Sequence, residues 1–136
     1  MAFLSVRDED KKAAVAVAQK LHQLGFQLMA TRGTCKVLMD AGLPVEFVYK
    51  VIERERPHIV DHMKNGRVQM VINTVGDKKS QVDSYSIRRT AVTRGIPYFT
   101  TLSGAGAAVE GIEALLKQEL TVVPLQEYHK AAKNQQ

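Results

Sequence analysis

The stretch VQMVIN, residues 68–73, is the strongest strand candidate in the chain and decides how its neighbours are interpreted. It is a near-continuous apolar run, which is typical of a parallel strand that is covered on both faces. Gly66, just before it, marks the end of a short predicted helix. The segment therefore predicts a sheet that is buried between layers of helices.

Strand-like and helix-like segments alternate on both sides of this run. Further strands are predicted at FLSV (3–6), FQLMA (26–30), EFVYKV (46–51) and IPYFTT (96–101), and LTVVPL (120–125) is predicted to be a short last strand or edge. Helices are predicted from a cap at Asp8 or Asp10 to Gly25, over Thr34–Asp40, and across RPHIVDHMKNG (56–66), SYSIRRTAVTRG (84–95) and GAAVEGIEALLKQ (106–118). This alternation predicts one α/β domain over residues 1–136, a three-layer sandwich with a mostly parallel five-stranded sheet. Residues 131–136 are expected to form a flexible tail.

The composition indicates a soluble globular protein. Of the 136 residues, 45% are hydrophobic and 24% are charged, and the apolar runs are far too short to cross a bilayer. The first residues lack a signal-peptide layout and Cys35 is the only cysteine, so we expect a reducing, cytoplasmic location and no membrane partner. The net charge of +5 suits anionic partners. The basic residues are spread along the chain without an aromatic stacking pattern, which argues against a nucleic-acid partner.

Polar residues follow successive predicted strands, at the point where each strand ends. They are Lys11 after the first strand, Thr31, Gly33 and Thr34 after the second, Lys50 at the end of the third, Asn73 and Thr74 at the end of the fourth, and Thr100, Thr101 and Ser103 after the fifth. Parallel sheets bind ligands in the crevice beyond the carboxyl ends of their strands. Ammonium groups with hydroxyl and amide donors at that edge are the groups that bind phosphate oxygens.

The segment ATRGT, residues 30–34, lies where the second strand turns into a helix, and it allows two interpretations. Glycine lets the backbone approach a ligand closely, and a helix N-terminus offers free N–H groups to an anion. On this interpretation the segment is part of a phosphate pocket. Alternatively, Thr31 or Thr34 is only the N-cap of the helix.

Three other features carry weaker signals. SGAGAA (103–108) is rich in glycine but lacks the lysine of a P-loop and the full dinucleotide spacing. His58 and His62, with Asp61 between them, have no third metal ligand of clear spacing, so surface or capping roles are favoured over a metal site. Cys35 lies early in a helix, which would lower the pKa of its thiol, but a buried structural thiol is the default interpretation.

Six segments together resemble one known domain. They are LSVRDEDK (4–11), GFQLMATRGT (25–34), VYKV (48–51), ERPHIVDHMKNGRVQMVINT (55–74), DSYSIRRTAV (83–92) and IPYFTTLSG (96–104). The domain that they resemble is the C-terminal regulatory domain of the carbamoyl-phosphate synthase large chain, which belongs to the methylglyoxal-synthase-like fold family. The resemblance covers about residues 3–130.

The resemblance implies an effector-binding domain rather than a catalytic one. In the family, the parent enzyme is an ATP-dependent ligase that uses Mg or Mn and K. It makes carbamoyl phosphate for arginine and pyrimidine synthesis, and a separate small subunit hydrolyses glutamine. The regulatory domain binds UMP as inhibitor and IMP as activator in one pocket, and ornithine binds near its junction with the rest of the large chain. The resemblance thus implies no catalytic residue, metal or cofactor in this chain.

The resemblance also implies roles for particular residues. The family's nucleotide-binding residues match Lys11, Thr31, Gly33, Thr34, Lys50, Asn73 and Thr74, and its ornithine-binding residues match Asp83, Tyr98 and Thr100. Two departures from the family pattern concern the effectors. Val75 stands where a second threonine often follows INT, and VIERERPHI (51–59) is one residue longer than usual.

A methylglyoxal synthase of the same fold is the alternative interpretation. That lyase acts on dihydroxyacetone phosphate and needs a carboxylate base in a Gly-Gly-Asp stretch, which this chain lacks. The corresponding region offers only Glu53, Glu55 and Asp61. A general base must come within hydrogen-bond reach of the proton that it takes, so we expect no lyase activity.

Overall fold

The structure is a computed structural model that describes residues 1–50, 53, 55–76, 81 and 84–129, with the backbone alone described for 119–129. Its centre is a sheet of five strands, β1 (Ala2–Ser5), β2 (Leu28–Ala30), β3 (Val45–Phe47), β4 (Met70–Asn73) and β5 (Tyr98–Phe99). Their order across the sheet is β3-β2-β1-β4-β5, and each pairing between them is parallel. The predicted five-stranded parallel sheet is thus confirmed.

Helices lie on both faces of this sheet. In the described part of the chain they are α1 (Lys11–Gln23), α2 (Arg32–Asp40), α3 (Ile59–Lys64), α4 (Tyr85–Arg94) and α5 (Leu102–His129). None of the helices in this part of the chain is both long enough and apolar enough to cross a membrane.

The side chains of β1 alternate between two buried clusters, one on each face of the sheet. Leu4 belongs to the cluster that contains Leu21 of α1 and Leu38 of α2. Phe3 belongs to the opposite cluster, which contains Ile59 of α3 and other residues of α3 and α4. Successive side chains of a strand point to opposite faces, so a strand that is buried on both sides needs a helical layer on each. The three-layer architecture is therefore confirmed.

Several element boundaries lie where the sequence predicted them. β4 is buried at each of its four residues, as expected for the apolar run at 68–73. α1 is followed by Gly25, with φ of +96°, and α4 by Gly95, with φ of +67°. Both values lie in the left-handed region, which glycine adopts without the steric cost of a Cβ. The two glycines therefore end their helices as predicted.

The predicted last strand, LTVVPL, is wrong because α5 continues through it to His129. No glycine interrupts the segment from Ile112 to Leu120, and the helix also continues past Pro124, which would favour a stop. A short apolar run cannot be assigned to strand or helix by its pattern alone. The glycine-rich SGAGAA segment likewise lies within the first turns of α5 rather than in a loop.

The chain after β1 and after β3 also differs from expectation. A short 3₁₀ turn, Asp8–Asp10, precedes α1, and the Asp10 side chain makes no capping hydrogen bond. Its carboxylate instead accepts a hydrogen bond from Arg7 Nε at 2.8 Å. β3 ends at Phe47, so Lys50 lies beyond the strand rather than at its end. Pattern reading places element ends least well, because neighbouring strands decide where pairing stops.

Candidate anion-binding site

A crevice opens between β1 and β4, beyond the carboxyl ends of the two strands. The chain runs from β1 to β2 and β3 on one side, while β4 and β5 lie on the other side. Open α/β sheets bind ligands where the strand order reverses in this way. The cavity has a volume of about 420 Å³, within the range of roughly 300–1,000 Å³ for small-molecule pockets. Its lining includes four of the seven residues predicted to bind the nucleotide: Lys11, Lys50, Asn73 and Thr74.

The ammonium end of Lys11 reaches the N-terminus of α2. Lys11 is the first residue of α1, and its side chain is only 20% exposed. A Cβ added to Gly33 would lie 3.2 Å from Lys11 Cε and 3.4 Å from Nζ. Gly33 belongs to the first turn of α2, whose leading N–H groups have no carbonyl within the helix to bond. A cation and a helix N-terminus are thus brought side by side, and Lys11 is connected with the ATRGT segment.

The two threonines of ATRGT are buried, and their hydroxyls hold neighbouring segments together. Thr31 occupies the N-cap position of α2, but its side chain makes no capping hydrogen bond. Its hydroxyl instead donates to Ser5 Oγ at 3.0 Å. Thr34 Oγ1 accepts a hydrogen bond from the backbone N–H of Val6 at 3.1 Å. The segment is therefore not a simple capped turn, because its hydroxyls attach it to the last residue of β1 and to the residue that follows it.

The polar residues at the end of β4 are also buried and bonded. Asn73 Nδ2 donates to the Tyr98 hydroxyl at 2.9 Å. Thr74 Oγ1 accepts a hydrogen bond from the backbone N–H of Arg7 at 3.0 Å. These two bonds attach the end of β4 to β5 on one side and to the chain after β1 on the other. The wall of the crevice is therefore held together by hydrogen bonds.

Lys50 is brought to the crevice by contacts with the N-terminus of α2. Its backbone N–H donates to Glu53 Oε1 at 2.7 Å, and Glu53 Oε2 accepts a hydrogen bond from Arg32 Nη2 at 3.0 Å. The hydrogen bond from the Lys50 N–H is the main cause that lowers the pKa of the Glu53 carboxyl. The segment after β3 is thereby attached to α2, which explains how Lys50 reaches the crevice from beyond the strand.

Cations and carboxylates meet in the crevice lining, where Arg7, Asp8 and Glu9 accompany the two lysines. These three residues were not among the predicted site residues, although they follow β1 directly and the rule about strand ends applies to them as well. A hydrogen bond from Lys11, the charge of Lys11 and then the charge of Lys50 lower the pKa of the Asp8 carboxyl. Both lysines therefore act on the same part of the crevice.

Two carboxylates that the sequence offered for a lyase base are engaged in other contacts. Asp61 Oδ2 accepts a hydrogen bond from the His58 N–H at 2.9 Å, and its Oδ1 pairs with Arg56 at 2.6 Å. The hydrogen bond from His58 is the main cause that lowers the pKa of Asp61, and the pKa of Glu53 is lowered as described above. A general base works best when its pKa lies near the operating pH. Both carboxylates are therefore poorly suited to abstract a proton.

The residues that the resemblance assigns to ornithine are brought together only in part. Tyr98 lies in β5, its hydroxyl meets Asn73, and the Arg88 guanidinium lies 5.6 Å from its ring centroid. Thr100 follows β5 and is exposed. Asp83 lies outside the described residues. The neighbouring Thr101 uses its Oγ1 to accept the Gly104 N–H at 3.0 Å, at the start of α5.

The other residues considered as candidates, Cys35, His58 and His62, are engaged in packing or in contacts within the fold. Cys35 is buried, as the default interpretation expected, and burial raises the pKa of its thiol rather than lowering it. His58 precedes α3, and His62 is buried in it with Nδ1 at 2.9 Å from Arg67 Nη1. No group of three His, Cys, Asp or Glu side chains in the described residues could hold a metal ion.

The fold and the crevice agree with the comparison of the sequence with known families. The sequence model of the MGS-like domain matches residues 13–100, and the chain therefore belongs to the MGS-like domain family. It is similar to the carbamoyl phosphate synthase large chain, C-terminal section, of Methanocaldococcus jannaschii, with 49% identity over 97% of this chain and 21% of that protein. The carbamoyl phosphate synthase large chain of Mesorhizobium japonicum is 48% identical over 93% of this chain and 11% of its own length. The resemblance seen in the sequence is thus confirmed.

The relatives differ from this chain in length. The chain spans about a tenth to a fifth of the two relatives that it matches. A solved structure of methylglyoxal synthase from Elizabethkingia anophelis covers 79% of this chain and 76% of its own, with a TM-score of 0.64 and 19% identity. This last similarity confirms the fold alone.

Proposed function

We propose that the chain is an allosteric effector domain that binds the nucleoside monophosphates UMP and IMP in the crevice between β1 and β4. The observation that carries the proposal is the approach of Lys11, which lines this crevice, to Gly33 in the first turn of α2. An ammonium group beside a helix N-terminus supplies the donors that a phosphate dianion requires. The cavity leaves room for the nucleoside beside the phosphate.

Each predicted residue has a role within this proposal. Lys11 and Lys50 neutralise the phosphate, and Gly33 allows its close approach to the backbone of α2. Asn73 and Thr74 form the wall on the side of β4, where Val75 also lines the crevice. The buried Thr31 and Thr34 act by holding the turn in place through their bonds to Ser5 and Val6.

We also propose that the domain regulates a carbamoyl-phosphate synthase large chain and is not catalytic itself. About half of the aligned residues are identical to those of two such large chains, which supports this assignment. The whole protein would then be an ATP-dependent ligase that uses Mg or Mn and K, works with a small glutaminase subunit, and serves arginine and pyrimidine synthesis. The ornithine site would lie at the junction with the rest of that chain, with Asp83, Tyr98 and Thr100 on one side.

Calorimetric titration of the 136-residue chain with UMP, IMP and uridine tests nucleotide binding. Uridine is the matched control because it lacks only the phosphate of UMP. We expect UMP and IMP to bind, and uridine to bind at least about tenfold more weakly, since each charge-assisted hydrogen bond contributes roughly 1.5–3 kcal/mol. Equal affinity for UMP and uridine, or no binding of UMP and IMP, would contradict the proposal.

An assay with dihydroxyacetone phosphate tests the alternative, a stand-alone lyase of the methylglyoxal-synthase type. We expect no methylglyoxal, because Glu53 and Asp61 are held in hydrogen bonds that lower their pKa values. Release of methylglyoxal that inorganic phosphate inhibits would overturn the proposal of a non-catalytic chain.

A further inference from the structure

We propose that the Asp8 carboxylate is an internal anion that occupies the Lys11 ammonium when the crevice is empty, and that it competes there with an incoming phosphate. The inference rests on the proposed function, because it concerns the same crevice. It assigns to Asp8 the role of setting the affinity of the crevice for anions.

The first observation is the contact itself. Lys11 Nζ donates a hydrogen bond to Asp8 Oδ1 and forms an ion pair with it. Among the described residues, Asp8 supplies the one acceptor for this ammonium group. A carboxylate oxygen and a phosphate oxygen accept the same charge-assisted hydrogen bond. An anion that approaches Lys11 therefore meets a site that another anion already fills.

The second observation is the unequal exposure of the two partners. The Lys11 side chain is 20% exposed and lies against Gly33, whereas the Asp8 side chain is 91% exposed. Lys11 is thus fixed by its surroundings, while Asp8 can turn away into solvent without losing buried contacts. An exposed ion pair of this kind contributes little to stability, so the displacement of Asp8 costs little. Asp8 consequently lowers the affinity for a phosphate but does not block the site.

The third observation is the place of Asp8 in the chain. It opens the 3₁₀ turn that leads from β1 into α1, and it lines the crevice together with Lys11 and Lys50. Both of these lysines stabilise its charged form. Its negative charge therefore lies where the phosphate charge would lie, and the two repel each other even after Asp8 has turned away.

Asp8→Asn, titrated with inorganic phosphate and with UMP, tests the inference. Asp40→Asn is the matched control. Asp40, like Asp8, pairs with a lysine, in this case Lys36 at 3.2 Å on an exposed helix surface, and the net charge changes equally. We expect Asp8→Asn to bind both probes about two- to tenfold more tightly than the parent, with a smaller gain at high salt, and Asp40→Asn to bind like the parent. Equal unfolding midpoints of the three proteins exclude a difference in folding.

The outcomes separate the inference from the proposed function. If the parent binds UMP and Asp8→Asn binds no more tightly than Asp40→Asn, the inference is wrong and the proposed function stands. Weaker binding by Asp8→Asn also overturns it, because Asp8 would then contact the ligand favourably. Tighter binding by Asp8→Asn than by both the parent and Asp40→Asn supports the inference. Failure of all three proteins to bind either probe would contradict both proposals.

Discussion

Lys11 lies against Gly33 so closely that a methyl group on the glycine would come within 3.2 Å of the lysine Cε. This contact joins two segments that are separate in the sequence, the start of α1 and the ATRGT turn. The backbone of Gly33 has no need of a positive φ, but the contact leaves little room for a side chain at this position. The contact is the basis of the first prediction.

Gly33→Ala is expected to weaken ligand binding without lowering the stability of the domain. Alanine favours a helix over glycine by roughly 0.5–1 kcal/mol, so the free energy of unfolding should be unchanged or slightly raised. The added methyl group must displace the end of Lys11 by a few tenths of an ångström, so phosphate and UMP should bind several-fold more weakly. Chemical denaturation and calorimetry measure the two effects.

Gly111→Ala is the matched control for this variant. Gly111 lies inside α5, and a Cβ there would meet nothing within 4 Å. The control should gain stability and bind UMP like the parent. Equal UMP affinity in both alanine variants would mean that the position of Lys11 does not matter for binding.

Thr34→Val should destabilise the domain, because the buried Thr34 hydroxyl accepts the Val6 N–H. Leaving that N–H unpaired should lower the free energy of unfolding by roughly 1–3 kcal/mol. Thr34→Ser keeps the hydroxyl and should lose much less. A valine variant as stable as the serine variant would show that the hydrogen bond is unimportant. Thr34→Val should also bind UMP about tenfold to a hundredfold more weakly than the parent. Comparison with Thr34→Ser shows whether that loss depends on the hydroxyl.

His62 should make the stability of the domain depend on pH. Burial is the main cause that lowers its pKa below the ordinary value of 6.5, and the nearby Arg67 charge lowers it further. Below pH 6.5 the unfolded chain therefore binds a proton that the folded chain resists. The contribution of neutral His62 is complete above about pH 6.5 and is lost as the pH falls through the lowered pKa.

His62→Asn tests this dependence, because asparagine keeps an acceptor for Arg67 but does not titrate. The free energy of unfolding of the parent should fall more steeply between pH 6.5 and 5 than that of the variant. His22→Asn, at a residue exposed near the end of α1, is the control and should behave like the parent. Parallel pH profiles for the parent and His62→Asn would remove His62 from the account.

Separation of the domain from a longer chain should affect its affinities for the nucleotide and for ornithine differently. The crevice proposed to bind the nucleotide is built within this chain, whereas Tyr98 and Thr100 supply only part of the expected ornithine site. Exposed ion pairs contribute roughly 0–1 kcal/mol, so the 136-residue chain should bind ornithine hardly at all. Calorimetry with ornithine measures this, and tight binding by the chain alone would disprove a shared site.

Asp83→Ala within a full-length large chain extends the same prediction. The response to ornithine should weaken while nucleotide binding is largely kept. Equal loss of both effectors would mean that one pocket, or one unfolding event, accounts for everything.

The sequence predicted the layers of the fold well because periodicity and glycine stops report directly on burial and backbone conformation. The apolar run at 68–73 became the buried β4, and Gly25 and Gly95 ended their helices. The segment LTVVPL failed because a short apolar run fits a strand and a helix equally well. The structure instead includes it in α5, which continues to His129.

The crevice was predicted from strand ends, but its charges were predicted only in part. Lys11, Lys50, Asn73 and Thr74 follow strands and do line it. Asp8 was missed because its contact with Lys11 depends on the 3₁₀ turn, which the sequence pattern presented as the start of a helix. Thr31 and Thr34 were expected to face a ligand or cap α2, whereas their bonds to Ser5 and Val6 depend on the neighbouring strand.

UMP titration of Lys11→Met against Lys36→Met tests whether a phosphate binds beside Lys11 at the start of α2. Lys36 lies on the same helix as Gly33 and is 77% exposed, so its variant removes an equal charge away from the crevice. We expect Lys11→Met to bind UMP about tenfold to a hundredfold more weakly than the parent, and Lys36→Met to bind it within about twofold of the parent. Equal affinities for UMP in the two methionine variants, with both folded, would contradict phosphate binding beside Lys11.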